Sequence, residues 1–365
     1  MSNFGFEIDF LPVGEKSKSG DAICVRWGYD LLGEKPNQFV MVIDGGFAET
    51  GDVIINHIKH YYKSGVVDFM VSTHPHADHI GGLEKVLIEL DVKNFALHRP
   101  WLYDNLLKFF KDGRVTDQSI KTSLKVGLEG VYKLECLAKQ KNVQILDPFS
   151  SLELKEIKGI YLDVLGPSEL YYKSLVPSFN VTPTDGEKEG HRLIPTGDMV
   201  DAETGKLTDD GQTSAENNSG VILCFTLPNG ELVLLTGDAG MPALWRAVDV
   251  AKKRRIDLIN KLVFLQVPHH GSVQNIGPSI LDEMFRASED FSGKKVTAYI
   301  SVSKNPKDGH PARCVINALQ ERNVCVCETR GSSIRWKTGD VPSRDGWIPL
   351  EGIAHFDKVE EFVIQ

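Results

Sequence analysis

One plan is written twice along this chain: an apolar run ending in Asp and Gly, a segment with helical spacing, then a second apolar run ending in histidine. In the first copy Val40-Met41-Val42-Ile43 leads into Asp44-Gly45-Gly46, Ile54, Ile55, Ile58, Tyr61 and Tyr62 recur on one helical face, and the run at 66–71 leads to His74. In the second, Leu232-Val233-Leu234-Leu235 leads into Thr236-Gly237-Asp238, and Pro242 opens a helix with Leu244, Trp245 and Val248 on one face. The run at 261–267 then leads to Pro268-His269-His270-Gly271-Ser272. Hairpin signals precede each copy, with strands at 23–27 and 39–43 around Gly33 and Pro36, and at 221–226 and 231–235 around Pro228-Asn229-Gly230. A sheet with helices on one face leaves its other face to be covered. Two such halves are therefore expected to pack sheet on sheet, α/β in class, with both sets of strand-end side chains on one edge.

The richest strand end is Thr73-His74-Pro75-His76-Ala77-Asp78-His79-Ile80-Gly81-Gly82. Four imidazole or carboxylate donors sit in one short turn after an apolar strand, a set that suits zinc or manganese. With an open position, such a site turns bound water into a nucleophile near neutral pH.

Bulk composition limits the alternatives. The 365 residues carry a formal charge of -9, with 41% hydrophobic and 25% charged residues, which is ordinary for a globular chain and argues against a surface coated with nucleic-acid affinity. The first ten residues lack a cationic start and an apolar core, and no apolar run approaches a membrane span of roughly 18 residues, so a cytoplasmic location away from membranes is expected. Cysteines 24, 136, 224, 314, 325 and 327 show no disulfide framework and read as reduced thiols. The region 100–145 looks helical, including Leu102, Leu106, Leu107 and Phe110, and 178–220 is polar and rich in Gly, Pro, Thr and Asp. We expect one domain over 1–365 with an insert at about 100–215, where a lid or substrate wall would sit.

Taken in order, these residues resemble the metallo-β-lactamase fold superfamily, and more closely its ComEC-type branch, the hydrolase domain of the bacterial DNA-uptake competence protein. The likeness is carried by Val-Ile-Asp-Gly-Gly at 42–46, the histidine block, Glu216-Asn217-Asn218-Ser219, Leu-Leu-Thr-Gly-Asp at 234–238, and Val-Pro-His-His-Gly-Ser at 267–272. Ile300-Ser301-Val302-Ser303-Lys304-Asn305 and Gly309-His310-Pro311 complete it. The competence protein's large membrane part is absent, so DNA import is not carried over.

The resemblance implies an αββα four-layer sandwich and two divalent ions, zinc or manganese with magnesium as a further option. His74 and His76 would serve one ion, Asp78 and His79 the other, and Asp238 would bridge. Either His270 or His269 would close the set: the family's Val-Pro-Gly-His-Gly aligns with His270, whereas overlaying the two halves on Phe69 and Phe264 places His269 beside His74. The remaining histidine would face substrate phosphate. Asp44 would orient a ligand through hydrogen bonds. Where the family usually carries another histidine this chain has Glu216, Asn217 and Asn218, harder donors that weaken the first ion or favour manganese or magnesium. His191 could supply an imidazole from the insert.

The activity implied is metal-dependent hydrolysis of phosphodiesters, foremost a nuclease acting on DNA, with a protein partner in an effector system as one setting. Asp78 would hold the attacking water, while Lys304, Asn305 and His310 contact phosphate, the last near a helix starting at Pro311. Ser272 would donate a hydroxyl or end its turn. A hydrolase of small phosphodiesters, such as cyclic nucleotides or phosphocholine esters, is the alternative; a lactonase or β-lactamase lacks its third imidazole, and a non-catalytic interaction module would not need the ligands. Lys252-Lys253-Arg254-Arg255 suits a helix end, and Arg330, Arg335 and Lys337 could border a nucleic-acid groove.

Overall fold

The duplicated plan builds two sheets that pack face to face. The computed structural model describes residues 3–14, 18–111, 115–152, 156–180, 200–201, 204–285, 295–307, 309–348 and 350–356. In the first half β1 (Phe4–Phe10), β2 (Ile23–Tyr29) and β3 (Asn37–Ile43) form an antiparallel meander, and β4 (Val66–Val71), β5 (Asp91–Ala96) and β6 (Gln144–Leu146) extend it in parallel. The second half repeats this. There β7 (Tyr161–Gly166), β8 (Ile222–Thr226) and β9 (Leu232–Leu235) are antiparallel, and β10 (Leu262–Gln266), β11 (Val296–Ile300) and β12 (Val324–Glu328) follow in parallel. The final strand, β13 (Ile334–Gly339), returns to the first sheet and pairs antiparallel with β1. Met41 lies opposite Phe69 in one half and Val233 opposite Phe264 in the other, with a register shift in β10 just before it.

Helices cover both outer faces. In the first half these are α1 (Thr50–His57), the short α2 (Ala77–Ile80), α3 (Leu83–Glu89), α4 (Asp117–Gly127) and α5 (Glu129–Gln140). They are followed by α6 (Glu169–Leu175), α7 (Ala215–Asn218), α8 (Met241–Lys253), α9 (Leu258–Lys261), α10 (Pro278–Met284) and α11 (Arg313–Gln320). Between the sheets Phe6, Ile8, Phe10, Trp27, Phe225 and Phe264 form an apolar layer, while Cys24, Val42, Met70, Ile54 and Leu87 fill the first helix–sheet interface and Leu234, Leu244, Val248, Leu265 and Leu319 the second. Strands covered on both faces read as continuous apolar runs, which is why β3, β4, β9 and β10 stand out in the sequence. No helix among the described residues is long and apolar enough to cross a membrane.

Outward-facing Glu7 and Asp9 interrupt the apolar pattern of β1. They are buried with Arg26, Arg335, Arg344 and His57. A π-helical turn, Ile58–Tyr62, continues α1 and aims the Tyr62 hydroxyl at Asp9 Oδ2, 2.6 Å away. This network corrects one expectation from sequence: Arg335 does not face a nucleic-acid groove, because its guanidinium is 2.6 Å from Glu7 and buried, and Arg330 is held by Glu328. Lys252 and Arg254 close the end of α8 on Glu283 and Asp163, each at 2.6 Å. The stretch at 100–215 contributes β6 and β7 to the two sheets as well as α4 to α6. His191 lies outside the described residues.

Candidate metal centre

The turns after β3, β4, β9 and β10 meet at one edge of the sandwich. After β4 the chain stays extended through His76, the N-cap of α2, and four helical residues then set Asp78 and His79 on the same turn. Gly82 lets the Asp44-Gly45-Gly46 turn approach: a Cβ there would stand 2.3 Å from the Gly45 carbonyl oxygen. After β9 and β10, Asp238 and the His269-His270 pair come from the second half.

Asp238 Oδ2 joins the donors. It lies 3.6 Å from His74 Nε2, 3.3 Å from His79 Nε2 and 3.5 Å from His269 Nε2. His74 Nε2 is 3.1 Å from His76 Nδ1, and Asp78 Oδ2 is 3.8 Å from His79 Nε2 and 3.9 Å from His270 Nε2. Two groups of convergent donors result, His74, His76 and Asp238 on one side, Asp78, His79 and His270 on the other. His269, a quarter exposed, stands at the mouth beside Asp238.

Partners on the far side of each ring fix which nitrogen is free. The Ser301 carbonyl can only accept, so His270 Nδ1 at 3.0 Å carries a proton and leaves Nε2 as a lone-pair donor. Asn275 donates through Nδ2 to the Asp238 carbonyl, so its Oδ1, 2.8 Å from His269 Nδ1, accepts from that ring. Asp44 Oδ2 accepts from His79 Nδ1 at 2.8 Å and from the Thr73 hydroxyl at 2.5 Å, while its Oδ1 takes the Thr73 amide at 2.8 Å. Thr73 Oγ1, its proton spent on Asp44, accepts from His74 Nδ1 at 3.1 Å. Each free Nε2 therefore points inward.

The donor set fits divalent metal ions. Buried His79 Nε2, His270 Nε2 and Asp238 Oδ1 have no hydrogen-bond partner, the situation that a bound ion resolves. Electrostatics agree. Burial works against a charged His79, yet Asp238 and Asp44 outweigh it and hold its pKa well above the ordinary value. For His270 burial is likewise outweighed by Asp238 and Asp78, raising it to about 9. Burial also opposes charge on Asp238, but the surrounding imidazoles pull its pKa well below the carboxylate range. Without cations the acids hold protons on His79 and His270, so loading metal must release them, whereas burial pushes His74 and His76 toward the neutral form.

Other residues named from sequence fall around this core. Asn217 and Asn218 are buried on α7, and Asn217 Nδ2 is 2.7 Å from Thr213 Oγ1 and 3.3 Å from His269 Nδ1. The Ser272 hydroxyl accepts the Gln274 amide at 3.2 Å, which ends the turn. His310 is half-buried, its ring 5.8 Å from that of His269. The helix after it starts at Arg313, two residues beyond Pro311, because Pro311 is packed on Gly271, whose added Cβ would come within 2.7 Å of the proline ring. Lys304 and Asn305 are exposed on the loop after β11.

Sequence reasoning missed Asp21, Gln266 and Asn275. Asp21 is 2% exposed and its Oδ2 lies 3.8 Å from His79 Nδ1. Its one trace in the sequence is an acid set just before an apolar strand. His269 and His270 adopt φ of 46° and 56°, a left-handed pair that costs non-glycine residues strain and splays their rings toward different acids.

Comparison with known proteins bears on the same region. Residues 34–115 match the family model described as "Metallo-beta-lactamase superfamily". A Bacillus subtilis (strain 168) protein described as "Probable metallo-hydrolase YflN" is 34% identical over 73 residues, 20% of this chain, and the chain spans 27% of that relative's length. Among solved structures, unliganded yeast PDE1 aligns at 12% identity over 91% of this chain and 99% of its own, with a TM-score of 0.45. A long form RNase Z from yeast aligns at 13% identity over 82% of this chain and 36% of its own, with a TM-score of 0.35. The family match spans the histidine turn, and the histidine and aspartate donors gathered around that turn on a two-sheet α/β sandwich suit divalent metal ions.

Proposed function

We propose that this protein is a metal-dependent hydrolase of phosphodiesters. The observation that carries the reading is Asp238 Oδ2, within 3.6 Å of His74 Nε2 and 3.3 Å of His79 Nε2, one carboxylate shared by two donor groups. His74, His76 and Asp238 would hold one ion, and Asp78, His79, His270 and Asp238 the other. A pair of such ions supplies Lewis acidity and an acidified water, the chemistry suited to in-line attack at phosphorus. The protein's own part is orientation. Asp44 and Ser301 accept from Nδ1 of His79 and His270 and so turn Nε2 of each ring toward the ions, Asp78 sits on the open side at 28% exposure where it can hold a water, and His269 and His310 line the mouth where a phosphate oxygen would rest.

The order of motifs resembles that of the ComEC-type branch and keeps DNA as one substrate. A specific observation favours the smaller alternative, a cyclic nucleotide or phosphocholine ester: of the basic residues singled out from sequence, Arg254, Arg330 and Arg335 are bound to Asp163, Glu328 and Glu7. The net charge of -9 points the same way.

Purified protein is to be incubated with bis(p-nitrophenyl) phosphate, a cyclic nucleotide, p-nitrophenyl phosphocholine, single- and double-stranded DNA and RNA, with manganese, magnesium or zinc. Turnover of the small diesters that disappears in Asp78→Ala and Asp238→Ala is expected. Faster cleavage of DNA would return the nuclease to first place, and no turnover of any substrate with any metal would overturn the hydrolase.

A further inference from the structure

Asp21 belongs to neither donor group above, yet it touches the turns after β3 and β4 and reaches the turn after β9 through Gln266. Its amide donates to the Asp78 carbonyl at 3.2 Å, and its carbonyl accepts the Gly46 amide at 2.7 Å. Its Oδ2 accepts from Gln266 Nε2 at 2.8 Å, and Gln266 Oε1 in turn accepts the amides of Thr236 and Gly237, both at 3.1 Å, which precede Asp238. Gly20 permits the approach, since a Cβ there would stand 2.4 Å from the Asp78 carbonyl oxygen.

Its other oxygen is the informative one. Asp21 Oδ1 is buried and has no hydrogen-bond partner, and Asp21, His79 and Asp238 present donor atoms within 4.8 Å of one another. A 2%-exposed carboxylate is costly unless a cation compensates it. The charges acting on Asp44, Asp78 and Asp238 are those of histidines and of one another, with no lysine or arginine among the leading ones. Asp21 adds a carboxylate to Asp44, Asp78 and Asp238 around this core, negative charge that divalent cations would balance.

We propose that Asp21 is a positioning residue of the metal centre. It steadies the Nδ1 side of His79 with Asp44 and supplies a further buried carboxylate that helps retain the ion at the Asp78, His79 and His270 group. This rests on the two-metal reading above.

The test uses the full chain as Asp21→Asn, which keeps the shape and the acceptor for Gln266 but removes the charge. Metal content by elemental analysis and affinity by competition with a chromogenic chelator are measured for manganese and zinc, together with the thermal midpoint of chelator-stripped protein. The expected result is a tenfold to hundredfold weaker second ion, on the scale of outer-shell losses, with a metal-free midpoint equal to or above that of the parent. A residue that only braced the fold would give the reverse, a lower metal-free midpoint with unchanged affinity, and that outcome overturns the proposal. Asp238→Asn serves as the control: if the parent binds no divalent ion, the two-metal reading fails, whereas two ions in the parent and equally tight ions in Asp21→Asn sink the role of Asp21 alone.

Discussion

Replacing Asp44 by Asn would turn over a histidine without moving it. Asp44 has φ 58°, a conformation asparagine accepts, so the backbone need not change. One oxygen of the amide can keep the Thr73 amide bond at 2.8 Å, but an NH2 group then replaces Oδ2, which accepts from His79 Nδ1 at 2.8 Å and Thr73 Oγ1 at 2.5 Å. The conflict resolves if His79 gives up its Nδ1 proton and keeps the one on Nε2, where Asp238 Oδ2 waits at 3.3 Å. Metal-free stability should then fall by only about 1–2 kcal/mol, the net worth of one charge-assisted bond exchanged for a neutral one. Metal binding suffers more, because the inward nitrogen now carries a hydrogen: a loss of about 10- to 100-fold, or about 1.4–2.7 kcal/mol, is expected. Urea unfolding of stripped protein and chelator competition separate the two quantities. Unchanged metal affinity in Asp44→Asn, or a loss of affinity that merely tracks unfolding, would refute the tautomer mechanism. Asp44→Ala strands three buried donors and should cost about 3–6 kcal/mol of stability.

Arg344→Met should lower the urea midpoint by about 3–5 kcal/mol in free energy, since it deprives buried Glu7 and Asp9 of a cation that donates at 2.8, 2.6 and 2.9 Å; an unchanged midpoint would show the network to be idle. Burial, aided by Arg99, lowers the His98 pKa to about 3, below the unfolded value near 6.5. The unfolded chain therefore binds the extra proton, and this contribution to stability is complete above the unfolded value and is lost as pH falls from there toward 3. His98→Gln should flatten the acid limb of the stability profile by one proton, about 1.4 kcal/mol per pH unit; an identical slope in both proteins counts against it.

How much of this was legible in the chain depends on what a pattern can encode. The two strand-helix-strand units, their hairpins and the edge they share follow from apolar runs of the right length, and the histidine block announces its chemistry through spacing alone. Asp21 and Asn275 escaped because their partners lie far away in sequence: Gln266 is 245 residues from Asp21, and Asn275 acts through the Asp238 carbonyl 37 residues away. Arg335 misled for a related reason. A basic residue on a strand reads as surface until Glu7, on the neighbouring strand β1, is seen to draw it inward. The start of α11 shifted to Arg313 because Pro311 is committed to packing on Gly271, a tertiary contact that overrides the local preference of proline for a first helical turn. Which of His269 and His270 turns toward Asp78 likewise depends on a strained backbone that neither residue type announces.

The last strand has a consequence for how the molecule is assembled. Because β12 closes the second sheet and β13 then crosses to lie beside β1, the polypeptide laces the halves together at both ends of its path. A ribosome that has released only the first half has made a sheet whose outer border still waits for residues 334–339, so that border is sealed only after the whole second half has been made. The border of the first sheet is thus the product of long-range closure, and a truncation after β12 would damage the half that was made first.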